Sequence, residues 1–443
     1  MVKDLTQGSP EKALWLFSLP LLGSIVFQQL YNIADSFVAG KFIGDNALAA
    51  VGNAYEVTLI YLAFTFGCNV GTSVIVSQLF GGKRFKELKT AVSTCFIAST
   101  VVCIVLMVAG LLFSPVLLHT IQVPENIFSD VLDYLTIYTL GLLFQFYYNI
   151  STGIFSALGD SKTPFYFLAF SSVANIFANI LFVKLGFGIK GIAWATFICQ
   201  GVSCVLAFLT VLFRLRAIES GVKASLFSKS LLFKFMKIAI PSILQQSFVS
   251  VGNMFIQSIV NGCGNIVIAG YSAVIKLQNL AVTCISTLGT AMSNYTAQNL
   301  GAGKFDRIKK GMRAGIIMGT IVSVLLTACY LLFSEALIDI FRNADSAQGV
   351  VDVGKRFLTI VSPFYVVIAA KLIADGILRG AGAMGHYMAA TFADLLLRVV
   401  LAFILAAEFG EIGIWLAWPI GWIIAAIMSV AFYFAGVWKK KML

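Results

Sequence analysis

Long apolar stretches separated by short polar links make up most of the chain. Twelve of them are long enough to cross a hydrocarbon core as helices, a crossing that needs about 20 residues. They lie at roughly 13–38, 48–79, 91–114, 130–157, 164–184, 191–213, 233–260, 267–299, 312–334, 356–380, 387–407 and 412–437. The strict alternation of a membrane barrel's strands is missing, so the pattern predicts helices. The expected fold class is therefore an all-α integral membrane protein with twelve transmembrane helices.

The second half of the pattern repeats the first. At a shift of about 220 positions, Pro20 meets Pro241, Asn32 meets Asn253, and Ser77-Gln78-Leu79-Phe80-Gly81 meets Ala297-Gln298-Asn299-Leu300-Gly301. Phe113-Ser114 meets Phe333-Ser334, and Gly191-Ile192 meets Gly413-Ile414. Chance likeness among greasy helices does not keep Gly, Pro, Gln and link positions in one order. Residues 1–213 are the expected N-lobe, 214–232 a cytoplasmic interlobe linker and 233–443 the C-lobe. Six spans per copy put both in the same orientation, related by a pseudo-twofold axis along the membrane normal, with a midplane site between them.

Composition removes the soluble alternatives. The 443 residues are 59% hydrophobic and only 12% charged, where a soluble domain carries about 25% charge. The net charge of +11 is a topology signal rather than a nucleic-acid footprint. Its Lys and Arg gather in alternate links, including Lys83, Arg84, Lys86 and Lys89, then Arg214 to Lys237, Lys304 to Arg313 and Lys439 to Lys441. The other face holds only Lys41, Lys184, Lys190, Arg342, Lys355 and Arg356. This asymmetry predicts cytoplasmic termini and a multi-pass protein of the cytoplasmic (inner) membrane. Met1–Lys12 lacks the features of a cleaved secretory signal, so the first span is expected to be retained. The eight cysteines lie in or at the ends of spans, form no CxxC pair, and read as reduced packing residues with no metal site.

Ionisable side chains inside a span cost about 2.5–3.5 kcal/mol each on insertion scales, and this chain holds several. In the first span Gln28, Tyr31 and Asp35 share one helical face with Asn32 beside them, and Pro20 upstream is a candidate hinge. Asp35 is placed to take up and release a proton during a transport cycle. Gln145 and Asn149 stand one turn apart in the fourth span, as do Asn175 and Asn179 in the fifth, and Thr196 lies in the sixth. A carboxylate, amide oxygens and a hydroxyl form either a Na⁺ cage or a proton relay. The alternative is interhelical glue, worth roughly 0.6 kcal/mol per bond.

The second copy keeps the frame but not the acid, since Asp35 maps to Ile256. Glu56 maps to Lys276, and both are candidates for a substrate cavity, as are Lys371 and Asp375, one turn apart. Asp394 and Arg398 have the same spacing and read as a structural ion pair. The two lysines suggest that the C-lobe accepts zwitterionic or anionic groups.

Pro20 through Gln28-Gln29-Leu30-Tyr31-Asn32-Ile33-Ala34-Asp35-Ser36-Phe37-Val38-Ala39-Gly40 resembles the first helix of the multidrug and toxic compound extrusion (MATE) family. So do Ala47-Leu48-Ala49-Ala50-Val51-Gly52, Ser77 to Gly81, Leu378-Arg379-Gly380-Ala381-Gly382 and Gly191-Ile192-Ala193-Trp194-Ala195-Thr196. The resemblance spans the whole chain. It implies export of organic molecules in exchange for H⁺ or Na⁺ by alternating access, with Asp35 coupling and Asn175, Asn179 and Thr196 at matching positions. Some members place a second acid where Asn179 stands, and others have acids where Val249 and Ile368 stand here.

The expectation is thus a secondary antiporter of amphiphilic compounds, with no cofactor beyond the coupling ion, no nucleic-acid partner, and a monomeric state in the bilayer. The alternative is a flippase for lipids or lipid-linked precursors. No GxxxxGK[ST] motif supports direct ATP use, and no clustered nucleophile or His/Asp centre supports an enzyme.

Overall fold

The computed structural model describes residues 4–218, 223–340 and 349–440. Within α1 and α2 the side chains of Tyr31, Asn32, Asp35 and Glu56 lie outside the described residues, as does all of Arg342. Among the described residues every regular element is a helix. The first half contains α1 (Pro10–Val38), α2 (Asp45–Gly81), α3 (Phe85–Thr120), α4 (Glu125–Leu140), α5 (Leu142–Ala157), α6 (Lys162–Lys184) and α7 (Gly188–Ala217). The second contains α8 (Lys229–Asn261), α9 (Asn265–Gly301), α10 (Phe305–Leu332), a short α11 (Ser334–Asp339), α12 (Gly349–Val361), α13 (Tyr365–Gly380), α14 (Met384–Phe409) and α15 (Glu411–Phe434).

Each expected span falls on this helical framework, but two are not straight. The fourth is a pair, α4 and α5, bent by 48° at Gly141. The tenth is α12 and α13, joined by a 3-10 turn at Ser362–Phe364. Pro363 in that turn has no amide hydrogen and cannot continue the α-helical ladder. By length and composition ten described helices can cross a membrane, and the bent pair makes eleven. The seventh expected span, α8, is not among them. Gln245, Gln246 and Asn253 dilute its apolar run, and Lys234 and Lys237 charge its start.

The internal repeat is visible in the backbone. Helices α2 and α9 both have 37 residues, about 55 Å at 1.5 Å per residue, and so outreach a core of roughly 30 Å. Positive φ angles recur at matching places: Gly44 (128°) with Gly264 (95°), Lys83 (56°) with Gly303 (69°), Gly159 (74°) with Gly382 (72°), and Gly188 (56°) with Gly410 (57°).

The chain forms two compact units. One contains Leu19–Ile243 and the other Leu5–Ser18 with Leu244–Leu443. Helices α1 and α8 therefore each change unit along their length, close to Pro20 and Pro241. Helix α1 runs through Pro20 without a break, and the Ser24 hydroxyl donates to the Pro20 carbonyl at 3.0 Å.

In the first unit Asn69 of α2 fastens α5, donating to the Asn149 carbonyl (2.6 Å) and the Thr152 hydroxyl (3.1 Å). At the start of α6 Asp160 accepts from the Thr163 amide (3.1 Å) and pairs with Arg214 of α7 (2.8 Å). In the second unit Tyr271 stacks on Trp415, centroids 5.3 Å apart, and Phe357 meets the same indole edge-on at 5.0 Å. Here α13 lies against α9 so closely that a Cβ on Gly376 would run into the Gly289 carbonyl. Close backbone approach through small residues is the main source of attraction between helices where lipid is as apolar as the side chains.

Candidate functional site

The polar chain of the first unit is built on α6 and α7. Asn175 and Asn179 are fully buried, one turn apart on α6. The Asn179 amide donates to Asn175 Oδ1 at 2.9 Å, and the Asn175 amide donates to the Thr196 hydroxyl of α7 at 3.4 Å. The three residues that the sequence groups are therefore hydrogen-bonded in series. Asp35 stands near the end of α1 in the same unit. This arrangement presents neutral oxygens and amide hydrogens but holds no fixed charge of its own, so it can relay a proton or accept a hard cation only with a carboxylate's help.

Other candidates in this unit sit apart from that chain. Gln28 is exposed on α1. The Asn149 amide is spent on its own helix, donating to the Gln145 carbonyl at 2.8 Å. The Gln145 side chain bonds the Tyr138 hydroxyl, which also meets Thr58. Tyr138 stacks with both Tyr61 and Tyr134, and Tyr61 shares a hydrogen bond with Thr139 at 3.2 Å. Sequence reading passes over these tyrosines because single aromatic residues in an apolar span carry no pattern of their own.

The second unit holds a denser set of charges. Lys371 and Asp375 of α13 are 6% and 4% exposed and pair at 3.0 Å. The Lys371 ammonium also donates to the Thr391 hydroxyl (3.5 Å), and Ser429 of α15 donates to Asp375 (2.6 Å). On α14 Arg398 pairs with Asp394 at 3.5 Å, its guanidinium 4.4 Å from the Trp418 ring centroid. Gly421 of α15 makes room for that acid, since a Cβ there would come within 2.7 Å of Asp394 Oδ1. Lys276 is exposed on α9.

Arg379, two turns beyond Lys371 on α13, lies in a family-like motif of the sequence but receives no site role there, because it stands at the end of its span. It is 6% exposed, donates to the Thr290 hydroxyl (3.1 Å) and lies over the Tyr387 ring at 6.0 Å. Three buried cations thus face two buried acids in this group. Mutual pairing offsets most of the desolvation cost of these charges, so Lys371 and Asp375 are held by each other and by Thr391 and Ser429. All eight cysteines are free, and Cys329 is exposed where packing would bury it.

A multi-pass helical bundle with one polar chain and one charge cluster buried in separate units is the plan of a membrane transporter, and the comparisons place it further. The MatE family model matches residues 20–181 and again 241–404, one match in each copy of the repeat. The chain belongs to the MATE family of transporters. It is 30% identical to the probable multidrug resistance protein YpnP of Bacillus subtilis (strain 168) over 442 residues, covering 99% of this chain and 98% of that one.

Two solved structures share the fold at 22% identity and a TM-score of 0.91 each, covering 99% of this chain and 98% of theirs. One is described as the outward-facing conformation of a multidrug resistance MATE family transporter of the MOP superfamily. The other is a MOP superfamily transporter from Pyrococcus furiosus, described as having a binding pocket of reverse polarity that suggests a different function. The all-α, twelve-span, two-lobe fold class follows, and the seventh span is α8 in spite of its polar residues. Relatives named for multidrug resistance do not favour the lipid flippase.

Proposed function

We propose that this protein is a secondary antiporter of the cytoplasmic membrane, with cytoplasmic termini. It exports amphiphilic organic compounds in exchange for protons, and Asp35 is the coupling carboxylate. The observation that carries this reading is the buried series Asn179–Asn175–Thr196 in the unit to which Asp35 belongs. The series presents neutral donors and acceptors without a charge, and a coupling acid in the same unit would add the charge that ion coupling needs.

A carboxylate beside amide and hydroxyl groups that donate as well as accept suits a proton relay, and a Na⁺ cage of oxygens alone is the second reading that the gradients distinguish. The proton binds Asp35 more tightly in one conformational state than in the other and so shifts the population between outward- and inward-open forms. A membrane potential of 100 mV supplies about 2.3 kcal/mol per charge moved, or roughly fifty-fold accumulation. The multidrug relatives support an organic cargo, bound in the bilayer without a cofactor by a monomer.

The test is efflux from proteoliposomes under a pH gradient or a Na⁺ gradient alone. The reading predicts that the pH gradient drives efflux and that Asp35→Asn abolishes the drive. Equal efflux with and without either gradient would count against it.

A further inference from the structure

Leu5–Gly8 occupy a socket that the repeat alone does not explain. In the second unit the Leu5 amide donates to Gln298 Oε1 at 2.9 Å. Every carbonyl from Leu5 to Gly8 then accepts a side-chain hydrogen bond. Leu5 takes one from Asn299 (3.3 Å) and one from Arg307 (3.2 Å), and Thr6 takes one from Lys304 (2.9 Å). Gln7 and Gly8 accept from the two terminal nitrogens of Arg307, at 3.1 and 2.7 Å. The Leu5 side chain is fully buried, as are Leu14, Phe17 and Ser18 further along.

Arg307 is itself held in place. Its Nε donates to Asn299 Oδ1 (2.9 Å), the Tyr295 hydroxyl donates to its carbonyl (3.0 Å), and its guanidinium lies over the Tyr295 ring at 6.0 Å. A planar fork fixed on one side and offered on the other to the carbonyls of Leu5, Gln7 and Gly8 is a preorganised clamp.

The duplication supplies a control within the molecule. At a shift of 220 the places of Tyr295, Asn299, Lys304 and Arg307 are taken by Ile75, Leu79, Arg84 and Glu87. Arg84 and Glu87 pair with each other on the surface instead. Gln298 keeps a counterpart in Gln78 and Lys304 a basic one in Arg84, whereas Asn299 and Arg307 have none, so the Arg307 fork is not a by-product of the shared fold.

What the clamp holds is the start of α1. Its first turns, to Ser18, belong to the second unit, and from Leu19 the same helix belongs to the first and leads on to Asp35. We infer that Arg307 is a positioning residue for coupling. With Gln298, Asn299 and Lys304 it anchors the Leu5–Gly8 strap, and so fixes the start of the helix that carries Asp35. This role rests on the reading of Asp35 as the coupling carboxylate.

The test uses the full chain in proteoliposomes and combines hydrogen exchange of the strap with two transport assays. One assay is pH-gradient-driven efflux, and the other is gradient-free exchange of the same fluorescent compound. In the wild type the Leu5 amide stays protected at rest and during turnover. Arg307→Ala is expected to speed strap exchange about tenfold and to lower gradient-driven efflux about tenfold, while gradient-free exchange stays within about twofold. Arg307→Lys restores part of the drive.

Lys304→Ala, which removes the bond to the Thr6 carbonyl and keeps those of Arg307, gives a smaller change in the same direction and serves if Arg307→Ala does not assemble. Protection of α13 peptides monitors the fold. A freed strap with undiminished drive overturns the inference. So does a parallel fall of both transport assays, which is the mark of a purely structural role, or a strap that exchanges freely in the wild type. Asp35→Asn is run alongside. Full coupling in that variant sinks the coupling reading, whereas the strap-exchange result bears on the anchor alone.

Discussion

At the scale of single residues, the buried amides and charges make separable predictions. Asn175 links Asn179 to Thr196, and if it were only glue its loss would cost about 0.6 kcal/mol per bond. Asn175→Leu is therefore expected to leave the thermal midpoint of the purified protein nearly unchanged but to lower gradient-driven efflux several-fold. Undiminished gradient-driven efflux would return Asn175 to the packing residues. The pair Lys371–Asp375 behaves in the opposite way. Lys371→Met leaves a buried carboxylate without its cation and is expected to cost about 3–5 kcal/mol, read by denaturant or thermal unfolding. Lys371→Met with Asp375→Leu is expected to recover most of that loss. Helical spacing makes Asn175 and Asn179 legible as a pair, and the family resemblance adds Thr196 from the next span. Arg379 and the tyrosines around Gln145 are not legible, because their roles depend on neighbours from other helices.

At the scale of elements, close helix approach decides which substitutions the bundle tolerates. A side chain at Gly376 would strike the carbonyl of Gly289, and neither backbone can yield without parting α13 from α9. Gly376→Val is expected to destabilise by about 1–3 kcal/mol or more, seen as a lowered thermal midpoint, and Gly385→Ala, which meets open space, serves as the neutral comparison. Helix existence follows from the length of the apolar runs, and so all twelve expected spans fall on helices. The interruptions are less legible. Pro363 announces the break between α12 and α13, yet Pro20, Pro115, Pro241 and Pro419 lie inside continuous helices. Proline removes one ladder bond, and tertiary packing decides whether the helix bends there. Gly141 marks the sharper bend between α4 and α5 with no proline nearby.

At the scale of the whole molecule, the repeat is the most informative feature of the sequence. It foretells two copies of one frame, and the paired positive φ angles and the equal lengths of α2 and α9 carry that frame into the backbone. What distinguishes the copies is chemistry: the Asn179–Asn175–Thr196 series in the first unit, and the Lys371–Asp375 and Arg398–Asp394 pairs with the Arg307 fork in the second. The passage of α1 and α8 from one unit to the other is beyond the reach of hydropathy, because it is a matter of which neighbours each half of a helix packs against. It gives both units a covalent share in the helix that carries Asp35.

The most direct test of the account is efflux from proteoliposomes containing the wild type or Asp35→Asn. A pH gradient and a Na⁺ gradient are imposed in turn, with cationic, zwitterionic and anionic fluorescent compounds as cargo. The account predicts efflux driven by the pH gradient, several-fold above the gradient-free rate in the wild type and equal to it in Asp35→Asn. Undiminished gradient-driven efflux from Asp35→Asn would contradict it.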